Sequence, residues 1–231
     1  MNWLGKIISA GVAALVAAVP AYAAGKFAPP EGCNVYVTVQ MKSCQVSQHY
    51  RCAGDPPGDQ WAVYLDSDGP YYMNRIDSET RWVESYSLIS GERDELVSES
   101  DPASFTTLLA TGRDDYDFMT ESDMAEVVRY TGYDQLPGDK VEIDGVELER
   151  TRFDLTARDM DGATLWRRSG QQLIHRDWRI FFADREVFES PEGERTDVDD
   201  TPVTFAFPGQ AGYLETKPQF GCDMMMTEVR P

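Results

Sequence analysis

Basic residues are scarce in this chain. Its 231 residues include 21 Lys and Arg against 40 Asp and Glu, which gives a formal net charge of −19 at pH 7. Proteins that bind nucleic acids or anionic membrane surfaces need clusters of basic side chains. The composition therefore argues against nucleic acid as a partner, and it favours an acidic surface that keeps the protein in solution.

Long apolar runs are missing after the first 23 residues, which have the features of a cleavable export signal. Lys6 precedes an apolar run over 7–19, and Ala-Tyr-Ala at 21–23 is the small-x-small pattern of a cleavage site. The run is shorter than the roughly 20 apolar residues of a transmembrane helix. We predict a signal peptide over 1–23 with cleavage after Ala23, and one periplasmic or secreted domain over 24–231 with no transmembrane segment.

Signatures of catalysis are also missing. The chain has no Gly-x-Ser-x-Gly motif, and only two histidines, His49 and His175. No glycine-rich phosphate loop occurs. We expect no cofactor, and we consider a non-catalytic function better supported than an enzymatic one.

Four cysteines, Cys33, Cys44, Cys52 and Cys222, predict two disulfides in an exported chain. Three pairings are possible from the count alone. The register of a β-hairpin can choose among them, because directly opposed strand residues have the Cα separation that a disulfide needs.

Alternating apolar residues on both sides of Lys42-Ser43 predict such a hairpin. With that turn, Val39 lies opposite Val46 and the first cysteine lies opposite the third. We therefore predict the pairs Cys33–Cys52 and Cys44–Cys222. The same register places His49 on the polar, solvated face of the hairpin.

The mature chain is dominated by the period-two alternation of β-strands. Asp-Gly pairs at 68–69, 144–145 and 161–162 lie between alternating segments and predict tight hairpin turns. We predict a mainly β fold, an antiparallel meander that forms a curved half-barrel or a β-sandwich, with one or two short helices. Folds of this class include exported carriers that hold acyl chains on a concave side, which is an analogy of fold alone.

Two features should interrupt the strands. Residues 124–130 are the predicted helix, because Ser122 or Asp123 could cap it. The parity of apolar residues changes between Leu148 and Phe153, which predicts a β-bulge or a corner there.

His175, Asp177 and Arg179 are the candidate catalytic residues. They share one parity of a predicted strand, where Asp177 could orient His175 as a general base. Residues on the same strand face are about 7 Å apart, so contact needs long side chains. A solvated strand face is the preferred interpretation.

Asp66 and Asp68, and likewise Asp159 and Asp161, resemble half of a calcium loop. Neither pair is followed by a Glu at the required spacing, and both lie at predicted turns, so we prefer turn formation and expect no metal. A weaker candidate is a peripheral cation site at Asp114, Asp115 and Asp117. Met224, Met225 and Met226 suggest soft copper ligands, but neighbouring residues of an extended strand point to opposite faces and cannot converge on one ion, so we prefer a packing role for them.

Charge is distributed unevenly along the chain. Residues 54–139 contain 20 acidic and 5 basic residues, whereas residues 140–185 contain 9 of each. Arginines of the balanced segment could bind a carboxylate or phosphate, but we favour cross-strand pairs with Glu147, Glu149 and Asp154. These arginines are Arg150, Arg152, Arg167, Arg168, Arg176 and Arg179.

Three functions are compatible with these patterns. The preferred hypothesis is a non-catalytic exported protein that binds an apolar small molecule or an envelope protein on a curved sheet. The first alternative is an exported hydrolase that uses His175 with Asp177, or a pair of carboxylates from the acidic half. The second alternative is an acidic protein-interaction module.

Overall fold

The computed structural model describes residues 25–225, apart from the side chains of Met224 and Met225. The predicted signal peptide and Met226 lie outside the described residues. Between residues 25 and 225, no helix has the length and apolar character needed to cross a membrane.

The fold is mainly β, as predicted, with 58% of residues in strands and 5% in helices. All the strands belong to one antiparallel sheet that does not close on itself. The strands are β1 (Cys33–Met41), β2 (Gln45–Cys52), β3 (Gln60–Leu65), β4 (Pro70–Ile76), β5 (Trp82–Ser87), β6 (Arg93–Asp101), β7 (Arg113–Ser122), β8 (Val127–Gln135), β9 (Lys140–Ile143), β10 (Val146–Arg158), β11 (Thr164–His175), β12 (Ile180–Glu189), β13 (Arg195–Asp199) and β14 (Pro202–Ala206). The helices are α1 (Phe105–Thr111) and α2 (Cys222–Met225).

The sheet is a meander in which most neighbours in space are also neighbours in sequence. Its order is β13-β12-β11-β10-β8-β7-β6-β5-β4-β3-β2-β1-β14, and β9 pairs with β10 beside this path. The last strand, β14, therefore joins the edge of the first. All three predicted Asp-Gly hairpins are confirmed, and at Asp144 and Gly145 both φ angles are positive, at 51° and 78°.

The β1–β2 hairpin has the predicted register at its open end, where Cys33 lies opposite Cys52. A bulge in the first half of β1 then shifts the register by one residue, so Val39 lies opposite Ser47. The predicted partner, Val46, was therefore wrong. The turn has three residues rather than two, because Lys-Ser does not suit the positive φ angles of a two-residue hairpin.

Both predicted disulfides are present, Cys33–Cys52 and Cys44–Cys222. In the hairpin turn, Ser43 and Cys44 have φ angles of 61° and 55°, and the amide of Cys44 donates to the carbonyl of Phe220. The hairpin turn therefore directs Cys44 towards the C-terminal segment. Two disulfides indicate an oxidising, extracytoplasmic environment.

The predicted helix at 124–130 is wrong, because this segment forms a tight turn followed by β8. Ser122 does cap the chain, but its Oγ accepts from the amides of Met124 and Glu126 within the turn. Two β-branched valines then begin the strand. The observed helix is α1, which begins after the N-cap Ser104 and ends at Gly112 in the left-handed region.

Strand β10 is continuous, and its register with β11 is unbroken from Glu149 to Ala157. Of the predicted alternatives, a bulge or a corner between Leu148 and Phe153, the bulge is absent from the pairing with β11, while the other neighbour of β10 changes from β9 to β8 between Glu149 and Arg152. The parity change has another cause: Leu148 on one face packs into the main apolar core, whereas Phe153 and Leu155 on the other face line a cavity. One long strand serves two parts of the interior.

The largest cluster of buried apolar side chains lies between β1, β10, β11, β12 and β14, and we call this cluster the apolar core. A second cluster covers the opposite face of β1–β3, where Phe27, Tyr213 and Leu214 pack on the sheet. The buried members of the apolar core are Val37, Val39, Met41, Val146, Leu148, Leu173, Ile180, Phe182 and Phe205.

The sheet curls strongly along its order. Trp82 of β5 and Phe181 of β12 line the same cavity although β11, β10, β8, β7 and β6 lie between these strands in the sheet. Gln60 of β3 also donates to the carbonyl of Arg179, at 2.7 Å, just before β12 begins. The cavity therefore lies on the concave side of a curved sheet.

Candidate functional site

A cavity of about 90 Å³ lies within the curl of the sheet. This exceeds the ~10–15 Å³ that a single water molecule needs. Its wall combines apolar and aromatic side chains with polar and charged ones in similar proportion, and small-molecule sites also combine apolar walls with placed polar groups. The apolar wall is formed by Trp82, Leu96, Phe118, Phe153, Leu155 and Phe181.

The aromatic part of the wall follows from strand alternation. Phe118 on β7 and Tyr130 on β8 are cross-strand partners, and their rings stack with centroids 5.1 Å apart. Trp82 meets both rings edge to face, at 5.5 Å and 5.4 Å. Because Trp82 is 40% exposed, this aromatic cluster can be reached from solvent.

Asp134 on β8 supplies the most unusual polar group of the cavity wall. Its Oδ1 atom is closed off from solvent and has no hydrogen-bond partner among the described residues. Burial raises the pKa of Asp134 to about 8, and the negative charge of Asp114 contributes. At pH 7 this carboxyl group is therefore mostly protonated and can both donate and accept hydrogen bonds.

Asp114 is the cross-strand neighbour of Asp134 on β7. Its carboxylate accepts from the amide of Ser104 at 2.7 Å, which fixes the beginning of α1. Burial raises the pKa of Asp114 to about 6, although the Ser104 hydrogen bond acts in the opposite direction. These two neighbouring carboxyl groups of the acidic half have different surroundings: Asp134 lines the cavity, whereas Asp114 holds the helix.

Tyr116 forms the wall beside Asp134 and depends on a glycine opposite it. A Cβ at Gly132 would lie 2.2 Å from the carbonyl oxygen of Asp154 and 2.9 Å from the Tyr116 ring. Only a residue without a side chain fits there. Burial raises the pKa of Tyr116, so its phenol stays protonated.

Arg81 and Glu99 form a charged pair elsewhere on the cavity wall. Arg81 donates to Asp77 at 2.6 Å and to Glu99 Oε2 at 3.1 Å. Glu99 Oε1 is buried and has no hydrogen-bond partner among the described residues. The positive charge of Arg81 is thus already compensated, whereas the wall keeps two carboxyl oxygens without donors.

Helix α1 packs next to the cavity. Phe105 contacts Phe181 edge to face at 5.6 Å, and the Arg179 guanidinium lies 4.9 Å from the Phe105 ring centroid. Arg179 also donates to Glu79 at 2.8 Å, and Glu79 accepts from the amide of Thr106 at 2.8 Å. The helix, the β4–β5 turn and the start of β12 are therefore joined.

The candidate catalytic residues are placed differently from the prediction. His175 ends β11, and Asp177 and Arg179 lie in the turn that follows, so they share no strand face. The His175 ring stacks on Trp178 with centroids 3.8 Å apart, and its Nδ1 accepts from the Trp178 amide. Within residues 25–225 no hydrogen bond joins His175 to Asp177, while Arg179 is engaged with Glu79.

Burial lowers the pKa of His175, and Asp177 acts in the opposite direction. None of the three residues lines the cavity described above. The structure thus does not bring the predicted hydrolase residues together with a pocket.

The candidate metal ligands form turns. Asp66 Oδ1 accepts from the amides of Asp68 and Gly69, and Asp159 Oδ1 accepts from the amides of Asp161 and Ala163. Such hydrogen bonds are typical of Asp at the start of a turn. In the described part of the chain, no three His, Cys, Asp or Glu side chains gather as a metal site would require.

The remaining weak candidates are accounted for locally. Asp115 pairs with Arg113 at 2.6 Å, and Asp117 pairs with Arg129. The backbone of Met224 and Met225 is helical rather than extended.

Five of the six arginines pair with carboxylates, as expected, and two of these partners were predicted. The pairs are Arg150–Asp184, Arg167–Asp154, Arg168–Glu186, Arg176–Glu149 and Arg179–Glu79.

His49 is buried, with 1% of its surface exposed, so its predicted place on a solvated face is wrong. The bulge in β1 shifts the register so that His49 lies opposite Val37, on the face of the apolar core, where the rings of Tyr64 and Phe182 meet His49 edge to face. Burial lowers the pKa of His49 to about 3. Its Nε2 lies 2.8 Å from the Ser47 hydroxyl.

No protein-family model, curated protein or solved structure matches this chain. The function is therefore inferred from the residues themselves. Sequence reasoning did not identify Asp134, Glu99 or Tyr116 as site residues. A carboxylate amid aromatic residues, as in Tyr130 to Asp134, is the local signal that could have pointed to this strand.

Proposed function

We propose that this protein is an exported, non-catalytic binding protein that holds a small apolar ligand, or the apolar end of a larger one, in the cavity of its curved sheet. The observation that carries the proposal is the cavity of about 90 Å³ with an aromatic wall on the concave side. Apolar surface that is left unpacked in an otherwise dense interior is a natural place for a ligand.

The volume limits the ligand. An engineered cavity of about 150 Å³ can hold a benzene molecule, so about 90 Å³ suits a short alkyl group or part of one ring. The exposure of Trp82 gives a route by which a longer ligand would extend into solvent. An export signal and two disulfides are consistent with a function outside the cytoplasm.

The hydrolase alternative has less support, because His175, Asp177 and Arg179 do not line the cavity. Asp134 and Glu99 do line it, but Glu99 accepts a hydrogen bond from Arg81, so it does not offer the free second acid that hydrolysis by a carboxyl pair needs. Asp114, the other acid near Asp134, is bound to the backbone of Ser104.

Native mass spectrometry and a cavity-filling variant test the proposal. The protein isolated from its own exported fraction should carry added mass beyond that of the polypeptide with two disulfides. In ligand-observed NMR, benzyl alcohol should bind the ligand-free protein. Leu96→Trp should abolish this binding, because Leu96 lines the cavity on β6.

Val97→Trp is the matched control. Val97 follows Leu96 on the same strand and is 50% exposed, so a tryptophan there leaves the cavity open. A bare native mass, together with no benzyl alcohol binding to the unmodified protein, would contradict the proposal. Equal loss of binding in both variants would show that the signal does not come from the cavity.

A further inference from the structure

The cavity wall offers hydrogen-bond acceptors without donors. Asp134 Oδ1 and Glu99 Oε1 are both buried, and neither has a partner among the described residues. A buried polar atom without a partner is unfavourable, and more so when the group is charged, so a ligand or ordered water that satisfies it is favoured. For the ionised form of either carboxyl group, the missing chemical feature is a donor.

The wall also becomes more negative as pH rises towards 8. Asp134 is mostly protonated at pH 7 and gains its charge near pH 8, while the one basic residue of the wall, Arg81, is already bound to Asp77 and Glu99. The cavity lies in the acidic part of the chain, where residues 54–139 contain 20 acidic and 5 basic residues. Such a field concentrates cations and repels anions.

The aromatic rings favour the same ligand. Trp82, Phe118 and Tyr116 line the cavity, and the faces of aromatic rings attract cations. Ammonium groups that enter aromatic pockets are held by this attraction together with a carboxylate.

We propose that the cavity recognises a primary or secondary ammonium group on a small apolar body, with Asp134 as the acceptor for the ammonium and the aromatic rings around the apolar part. This inference rests on the proposed binding function. It makes the ligand class an amine rather than a fatty acid, because a carboxylate would meet Asp134 and Glu99 with no free cation.

Proton release should accompany binding. Burial raises the pKa of Asp134 to about 8, and a cation at its Oδ1 favours the ionised form. The other ionisable groups around it are Asp114 and Tyr116 on β7, and Arg81 and Glu99 on the cavity wall. The neighbouring positions on β10 and β11, Phe153 and Gln172, do not titrate.

The test compares three ligands of nearly equal size: benzylamine, benzyl alcohol and benzoate. At pH 8, benzylamine should bind at least about tenfold more tightly than benzyl alcohol, which corresponds to ~1.4 kcal/mol. Benzoate should bind most weakly. Benzylamine affinity should rise from pH 6 to pH 8, since benzylamine stays protonated over this range while Asp134 loses its proton.

Asp134→Asn is the decisive variant. It keeps the shape of the side chain, so it should bind benzyl alcohol as before, lose the preference for benzylamine and lose the pH dependence. Asp114→Asn is the matched control, because Asp114 is the adjacent carboxylate and is engaged with the helix. This control should keep the preference. Glu99→Gln, with a smaller expected loss, gives a second variant should Asp134→Asn fold poorly.

The outcomes separate the two proposals. Equal binding of benzylamine and benzyl alcohol, or an unchanged preference in Asp134→Asn, would overturn the amine inference and leave the binding function in place. Tighter binding of benzoate would overturn it as well, in favour of Arg81 as the recognising group. If none of the three ligands binds, both proposals are wrong.

Discussion

The apolar core and the cavity each bury an ionisable side chain, and the surroundings of these two side chains differ. His49 lies beside the apolar core, where the Phe182 and Tyr64 rings contact it and the Ser47 hydroxyl lies 2.8 Å from its Nε2. Each of the two side chains keeps one buried atom without a hydrogen-bond partner among the described residues, His49 Nδ1 and Asp134 Oδ1, but of the two only Asp134 lines the cavity. Burial shifts both pKa values towards the neutral form.

The difference teaches how to distinguish a packing residue from a site residue in this fold. A shifted pKa alone does not separate them, because desolvation acts on both groups. What separates a packing residue from a site residue is whether open space lies beside the buried group. Rings fill the volume around His49, whereas Asp134 could gain a hydrogen bond from an incoming molecule.

The largest expected effect comes from the disulfides, which tie the two strands of the β1–β2 hairpin to each other and the hairpin turn to the C-terminal segment. Cys44→Ser with Cys222→Ser opens a loop of 178 residues, and Cys33→Ser with Cys52→Ser opens one of 19. The chain-entropy model gives losses of ~5 and ~3 kcal/mol in the free energy of unfolding. Urea unfolding measures both, and an equal or reversed order would contradict this ranking. Non-reducing peptide mapping checks the two pairs independently.

The second effect compares two leucines on β10. Leu148→Ala empties a fully buried position in the apolar core, for which we expect a loss of ~3–4 kcal/mol. Leu155→Ala enlarges a cavity that already exists. The truncation of Leu155 therefore removes fewer packing contacts, and we expect a loss of ~2 kcal/mol in the free energy of unfolding. Chemical denaturation of both variants measures the two losses in the free energy of unfolding. Equal losses would show that the cavity wall is packed as tightly as the core.

The smallest effect is a pair of opposite pH dependences. His49 changes from a pKa of 6.5 to about 3 on folding, so the stability that depends on its neutral form is lost as pH falls below about 6.5. The pKa of Asp134 changes from 3.8 to about 8 on folding, so the stability that depends on its protonated form is lost as pH rises from 3.8 towards 8. Each slope is at most ~1.4 kcal/mol per pH unit.

Between pH 3.8 and 6.5 the two slopes oppose each other, and above 6.5 only that of Asp134 remains. Unfolding measurements at pH 6.5 and pH 8 should show the protein becoming less stable relative to Asp134→Asn. His49→Phe should differ from the parent protein only on the acid side. A difference between the parent and Asp134→Asn that does not change with pH would mean that Asp134 is ionised in the folded state.

The sequence predicted those parts of the fold that depend on short patterns. Strand alternation, Asp-Gly turns and the opposed positions of Cys33 and Cys52 are properties of neighbouring residues or of one hairpin. Helix α1 was missed although Ser104 and Gly112 flank it as caps, because three threonines within 105–111 lower the helical propensity.

The site residues could not be predicted in the same way. His49 follows the alternation of a polar face, but the bulge in β1 places it opposite Val37, on the face that Phe182 of β12 covers. Asp134 precedes Leu-Pro-Gly and has the local character of a turn residue, yet β7 and β10 enclose it. Both outcomes depend on strands distant in sequence, which a local pattern does not contain.

The pairing of β1 with β14 has a consequence for the order of folding. Residues 33–41 cannot complete their hydrogen bonds until residues 202–206 have been made, so a large loop must close before this edge is satisfied. Until then, β1 keeps an unpaired edge that other chains could join. A chain shortened before residue 202 would keep that edge permanently and lose Phe205 from the apolar core. The end of the chain thus protects its beginning from association with other copies.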